Sequence, residues 1–229
     1  MARILLIETS ASTLSVALAN DGVVLAERVC TEPRQQAALT VPLVKEVLDA
    51  AAVRLADCDA VAVSSGPGSY TGLRVGVSTA KGLCFGANLP LISIGTLDIL
   101  VASCHSGLDP ESHSFIVPMI DARRMEVYTA VYTPDGERIT PVEARVVDAS
   151  SFEEYLSHGP VMFVGDGAMK CRDVIGHSNA RFLAAEPLAS NMASLAEAAF
   201  RAGRFENLAY FEPFYLKDFV ATVSRHNMW

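Results

Sequence analysis

The sequence predicts an α/β protein of two lobes, each a mixed sheet flanked by helices. Three observations predict it. First, the order strand, carboxylate, strand, turn, strand, helix, strand, glycine-rich loop, helix occurs twice. Glu8 in the first pass answers Asp121 in the second, and Gly66-Pro67-Gly68 answers Gly165-Asp166-Gly167. Second, each pass adds an antiparallel hairpin to strands joined through helices, which are parallel. Third, the chain has 229 residues, 51% of them hydrophobic, enough for a sizeable core. Identity between the halves is slight, so what repeats is topology.

The elements follow in order. Residues 3–7 are an apolar run ending at Glu8-Thr9-Ser10, and 14–19 are a second run. Asn20-Asp21-Gly22 is a hairpin turn, because these residues tolerate the positive φ it needs, and 23–29 pairs back. Over 35–52, Leu39, Leu43, Val44, Val47, Leu48 and Ala51 recur at helical spacing. Pro42 inside this run kinks the helix or marks its true start. Ala60-Val61-Ala62-Val63 reads as a buried strand feeding the loop Ser64-Ser65-Gly66-Pro67-Gly68-Ser69-Tyr70-Thr71-Gly72-Leu73-Arg74-Val75-Gly76. The helix that this loop opens runs to about Gly86, and a strand at 91–94 and a helix at 96–103 follow.

The second pass places strands at 114–120, 126–132 and 161–164, an extended stretch at 138–147 and a helix at 151–156. Pro134-Asp135-Gly136 is its turn, and Gly165-Asp166-Gly167-Ala168 opens its glycine-loop helix. The polar stretch 105–113 is the linker. The first lobe is therefore 1–104, completed by 205–220, and the second is 105–204. The last helix, 193–202, and the tail Pro213-Phe214-Tyr215-Leu216-Lys217 return to the first lobe. This plan resembles that of the actin, hexokinase and Hsp70 superfamily, the ASKHA or ribonuclease H-like fold.

Composition narrows the function. A net charge of −8 without a Lys/Arg cluster argues against gripping nucleic acid alone. The five cysteines are odd in number and form no CxxC, which suits reduced thiols and argues against a disulfide frame or zinc ribbon. The N-terminus enters a strand at once and no apolar stretch is long enough for a bilayer, so the expectation is a cytoplasmic protein without a membrane partner. No histidine pattern suits a metal and no GxSxG is present, so neither a metal site nor a catalytic residue is expected.

The glycine-rich loop fits neither nucleotide motif. Thr71 stands where both the P-loop and the dinucleotide fingerprint need glycine. Gly72, Gly76 and Ala80 recur every four residues, and Gly82 and Gly86 follow. A glycine inside a helix costs about 1 kcal/mol relative to alanine. That cost suits close approach of another backbone, either this chain's own sheet and first helix or a partner's helix. Glu8, Asp121 and Asp166 have two readings, as turn-capping carboxylates or as contacts to a nucleotide and its metal. Arg123-Arg124 reads as a solvated pair before a phosphate contact.

The central motif, with Ala80-Lys81-Gly82-Leu83 beyond it, closely resembles the signature of the bacterial TsaB/YeaZ family. Ile7-Glu8-Thr9-Ser10, Ser15-Val16-Ala17, Ile120-Asp121-Ala122-Arg123, Glu126-Val127-Tyr128, Gly165-Asp166-Gly167-Ala168 and Pro213-Phe214-Tyr215-Leu216 agree with it. The resemblance implies a non-catalytic subunit needed for threonylcarbamoylation of adenosine 37 in tRNAs that read codons beginning with A. It implies a heterodimer with the catalytic subunit TsaD, joined by the ATPase TsaE, tRNA reached through that complex, and a homodimer when alone. It implies no intrinsic cofactor, with ATP or ADP belonging to the assembled complex. The alternative is an independent ASKHA-type ATPase or an M22-like peptidase, the latter resting on an old glycoprotease label.

By the same resemblance the partner contact uses the first two helices, here Leu39, Leu43, Val47, Gly72, Arg74, Val75, Gly76 and Thr79. Candidate nucleotide contacts are Glu8, Thr9, Ser10, Asp121, Gly165, Asp166 and Gly167. The chain departs from many relatives at 31–37, where they carry a histidine-bearing stretch. On this reading Gly76→Leu releases TsaD while the isolated chain stays folded.

Overall fold

The computed structural model describes residues 2–104 and 114–217. The linker expected at 105–113 and the last residues of the 205–220 completion lie outside them. β1 (Arg3–Glu8), β2 (Leu14–Asn20) and β3 (Val23–Cys30) form an antiparallel meander. Asp21 and Gly22 take φ of 51° and 75° at its tight turn, as the sequence requires. β4 (Ala60–Gly66) runs parallel to β1, and β5 (Leu91–Gly95) parallel to β4, giving the order β3-β2-β1-β4-β5. Parallel neighbours need crossovers, and α1 (Gln36–Ala50) and α2 (Tyr70–Ala87) supply them.

Helices cover both faces of this sheet. On one face Leu5, Ile7, Val16, Val61 and Val63 meet Leu43, Val47, Val77 and Ala80 of α1 and α2. On the other Ile4, Leu6, Ala17 and Ala62 meet Met192 and Ala193, Ala196 and Ala199 of α6 (Ala193–Arg201). Burial on both sides explains why β1 and β4 read as unbroken apolar runs.

α3 (Thr96–Cys104) leads into the second lobe, where β6 (Phe115–Asp121), β7 (Glu126–Thr129), β8 (Glu143–Val146), α4 (Glu153–Leu156), β9 (Val161–Val164), α5 (Asp166–Cys171) and β10 (Ala180–Leu183) follow. The order β10-β9-β6-β7-β8 repeats the first sheet strand for strand. Phe163 centres this lobe's core, edge-on to Phe152 at 5.4 Å and stacked on Phe182 at 5.3 Å. Leu97, Leu100 and Val101 of α3 pack on Ile116, Ile120 and Tyr132, which joins the lobes. There the buried Tyr132 hydroxyl donates to Asp98 Oδ1 at 2.7 Å. No helix of the described residues is long and apolar enough to cross a membrane.

The structure departs from the sequence reading in four places. Pro42 does not start α1, which begins at Gln36 and carries Pro42 on its exposed face. The strand expected at 126–132 ends at Thr129, and Tyr132 makes isolated bridges to Ile116 and Arg138 instead. β10 was not expected at all. The last helix returns to the first lobe as expected, but the bound drawn at 205 falls late, because Ala189, Met192 and α6 share a core with β1.

Phe163→Ala removes the ring that both neighbouring aromatics touch. Its unfolding free energy in urea should fall by about 3–5 kcal/mol, with the slope against denaturant unchanged.

Candidate functional site

The site is built where β1 ends. Glu8 is fully buried there. The Ser10 N–H donates to its Oε1 at 2.5 Å, while Oε2 has no partner. The hydroxyl of Ser64, on the neighbouring β4, accepts the Thr9 N–H at 3.4 Å. Burial pushes the Glu8 carboxyl up to about 7, against hydrogen bonds from Ser10, Ser64 and Thr9 that pull it down.

The glycine-rich loop closes over the Thr9-Ser10 turn. The Ser69 N–H donates to Ser10 O at 2.7 Å, and Thr9 Oγ1 donates to Gly72 O at 2.8 Å. A Cβ added at Gly68 would overlap Ser10 O; at Gly72 it would overlap Thr9 O, and at Gly76 Thr9 Oγ1. The Ser69 hydroxyl caps α2 by accepting the Gly72 N–H at 3.3 Å. Much of the helix N-terminus that might have faced an anion is thus taken up by the chain itself. Gly82 and Gly86 are different, because an added Cβ would meet nothing within 4 Å.

The second lobe repeats this arrangement at its own first strand. Gly165 has φ of 115° and a Cβ there would overlap Met119 O, while one at Gly167 would lie 3.0 Å from backbone atoms of Met119 and Ile120. Asp166 Oδ1 accepts the Asp121 N–H at 3.0 Å and the Gly167 N–H at 2.7 Å. Lys170 reaches Asp121 Oδ1 at 2.5 Å, and the Arg123 N–H donates to the same oxygen at 2.7 Å. Asp121 and Asp166 are exposed, unlike Glu8. Arg123 and Arg124 are exposed in the β6–β7 turn, both at positive φ.

The candidate nucleotide contacts therefore form two groups. Glu8, Thr9 and Ser10 are sealed inside the first lobe; Asp121, Gly165, Asp166 and Gly167 sit at the second lobe's strand ends. Among the described residues no cluster of three His, Cys, Asp or Glu side chains is arranged to hold a metal ion.

The candidate partner residues also divide. Leu43 and Val47 belong to the first lobe's own core. Gly72 and Gly76 are buried against Thr9. Four of the expected contacts are thus turned inward, because apolar spacing and small residues mark a close neighbour without naming it. Gly76→Leu would displace Thr9 and so could not spare the fold. Leu39, Val75 and Thr79 are half-buried and Arg74 is exposed, its guanidinium over the Tyr70 ring at 5.3 Å. The helices also expose Val41 and Phe85, the latter 83% exposed.

Sequence reasoning missed two ties. Gln36, within the stretch that departs from relatives, donates from Nε2 to Ala11 O at 3.1 Å and Ser12 O at 3.2 Å, steadying the turn beyond Ser10. Lys81 donates to the carbonyls of Ala209 at 3.2 Å and Phe211 at 3.1 Å. Both span long sequence separations that no local pattern signals.

Two five-strand sheets of the same order, each with its first strand clasped by a glycine loop, define a two-lobed actin-like α/β protein. An activator of 2-hydroxyisocaproyl-CoA dehydratase from Clostridium difficile shares this fold at a TM-score of 0.51 and 10% identity, covering 88% of this chain and 96% of that one. A family model described as TsaD, tRNA N6-adenosine threonylcarbamoyltransferase, matches residues 31–224. The tRNA threonylcarbamoyladenosine biosynthesis protein TsaB of Escherichia coli strain K12 is 33% identical over 227 residues, 96% of each chain. The crystal structure of YeaZ from Pseudomonas aeruginosa superposes with a TM-score of 0.82 at 27% identity, covering 94% of this chain and all of that one. The chain belongs to the family that this model describes and, within it, to the TsaB/YeaZ proteins.

The raised Glu8 carboxyl sets a pH dependence. The folded chain holds its proton up to about pH 7, whereas the ordinary value is 4.5. Between those values folding takes up a proton, so stability is fullest below 4.5 and is withdrawn as pH rises to 7. Glu8→Gln should flatten this slope in chemical denaturation and gain up to about 3 kcal/mol over the parent at pH 8.5. Gly72→Ala should cost about 1–3 kcal/mol in the same measurement, because its methyl meets backbone that cannot yield.

Proposed function

We propose that this chain is a non-catalytic subunit for threonylcarbamoylation of adenosine 37 in tRNAs reading codons that begin with A. It acts by binding and activating a TsaD-class catalytic subunit, with a TsaE-class ATPase joining the complex in the cytoplasm. Family membership supports the pathway. One structural observation supports the role. In actin-like proteins that cleave ATP, a carboxylate and turn at the end of the first strand approach metal and phosphate. Here that turn lies under the chain's own glycine loop, and Glu8 is buried among neutral groups. What the first lobe offers outward is the α1–α2 surface with Val41, Arg74 and Phe85.

On this reading ATP and ADP act in the assembled complex, and tRNA is met there too, as the net charge of −8 favours. Without the catalytic subunit, the same helix surface pairs two copies of the chain.

The test is reconstitution with purified TsaD, TsaE, the donor synthase, tRNA and ATP, reading modified adenosine with and without this chain. Modification should depend on the chain and survive Glu8→Gln. Loss of modification in Glu8→Gln with the complex intact would overturn the non-catalytic role in favour of an independent ATPase. Arg74→Glu combined with Phe85→Ala should weaken association with TsaD at least about tenfold, since exposed aromatic and arginine anchors dominate such contacts. Undiminished co-elution of that variant would place the contact elsewhere.

A further inference from the structure

After α6 the chain crosses the first lobe once more, and most of its fastenings are polar. The Glu206 N–H donates to Leu91 O at 2.8 Å, and the Ser93 hydroxyl donates to Glu206 Oε1 at 2.5 Å. Lys81 holds the carbonyls of Ala209 and Phe211. The Phe214 N–H donates to Ser65 O at 2.7 Å, and a Cβ at Gly66 would lie 2.7 Å from Phe214 O. Tyr215 rests against Tyr70 with ring centroids 4.9 Å apart. Lys217 then pairs with Glu126 of the second lobe.

Of this segment Leu208 and Phe211 pack, half-buried, on the first lobe's core, and Phe205 meets Phe200 edge-on at 5.6 Å. Phe205, Tyr210, Phe214 and Tyr215 keep exposed rings. A segment held by polar ties and edge contacts, with little apolar surface buried, opens at lower free energy than the sheet beneath it.

The segment also borders a recess that stands partly open to solvent. This recess, of about 470 Å³, lies between the lobes and is lined by Pro67, Gly95, Asp98, Arg138, Val142 and Phe214. Gly66 and Gly95, which end β4 and β5, border it. The carboxyl ends of parallel strands are where α/β sheets receive small ligands, and the volume is in the range such sites have. Of these walls Phe214 alone belongs to the loosely held segment, and its backbone is tied to Ser65 beside Pro67.

We infer that residues 205–217 form a strap that opens without global unfolding and, through Phe214, sets how far the recess between the lobes stands open. Lys81 is its latch, since one ammonium holds two carbonyls of the strap, those of Ala209 and Phe211. The inference concerns the isolated chain and is independent of the partner reading above.

Lys81→Met keeps the apolar stem and removes both donated bonds. Two readouts decide the matter, both on the full chain. Hydrogen exchange of peptides covering 205–217 should run well ahead of β1 and β4 in the parent and rise about tenfold further in Lys81→Met, with β1 and β4 unchanged. Maleimide labelling of Val142→Cys, read by peptide mass, should accelerate by a similar factor in Lys81→Met, because the reagent enters where Phe214 withdraws. Phe214→Ala, which leaves the latch in place, should speed the same labelling while strap exchange stays at the parent rate. It decides the role of Phe214 if Lys81→Met also loosens the sheet. A strap that exchanges as slowly as β1 overturns the inference. So does labelling of Val142→Cys that ignores Phe214→Ala.

Discussion

The contact on which the rest of the molecule depends is backbone against backbone at the end of β1. Thr9 and Ser10 approach the glycine loop and α2 so closely that three successive glycines, Gly68, Gly72 and Gly76, have no room for a methyl group. This closeness fixes where α2 starts, and α2 with α1 covers one face of the first sheet. It also seals Glu8 from solvent, which raises the carboxyl of a residue that reads as a ligand to about 7. The second lobe uses the same device at Gly165 and Gly167 on Met119 and Ile120, but leaves its carboxylates exposed, Asp121 paired with Lys170. One architecture used twice has thus produced a closed strand end and an open one.

That asymmetry bears on function. Chemistry at the end of a first strand needs carboxylates that stay charged and reach a ligand. The first lobe buries Glu8 and raises its carboxyl to about 7, and the second ties Asp121 into a local ion pair. The surface of α1 and α2 keeps a cation, a large exposed ring and two uncovered glycines. A subunit that works by being held is consistent with this division, as is its membership of a family that includes a catalytic relative.

Much of this was legible in the residues. Alternating and unbroken apolar runs located β1 to β5, and Asp21-Gly22 located the hairpin, because these signals are local. The doubled order of elements predicted two sheets, which the identical strand order bears out. The same doubling demanded a strand after α5, as β5 follows α2, yet Ala180-Arg181-Phe182-Leu183 is too short and mixed to announce itself. Leu43, Val47, Gly72 and Gly76 show where pattern reading stops. Helical spacing says that one face is covered, and small residues say that the cover is close, but neither says whether the cover is the same chain. The ties of Gln36 and Lys81 were invisible for another reason: each joins segments far apart in sequence through a single long side chain.

Gly82 and Gly86 remain, lying open on the same helix whose other glycines are forced. Nothing within the described chain requires them, since an alanine methyl would touch nothing at either position. Each lowers helix stability by about 1 kcal/mol relative to alanine. The isolated chain therefore forgoes stability that two methyl groups would supply, at a place where its own packing gains nothing in return. A helix left bare at two positions of its outer face leaves room there for another backbone to come nearer than side chains ordinarily permit.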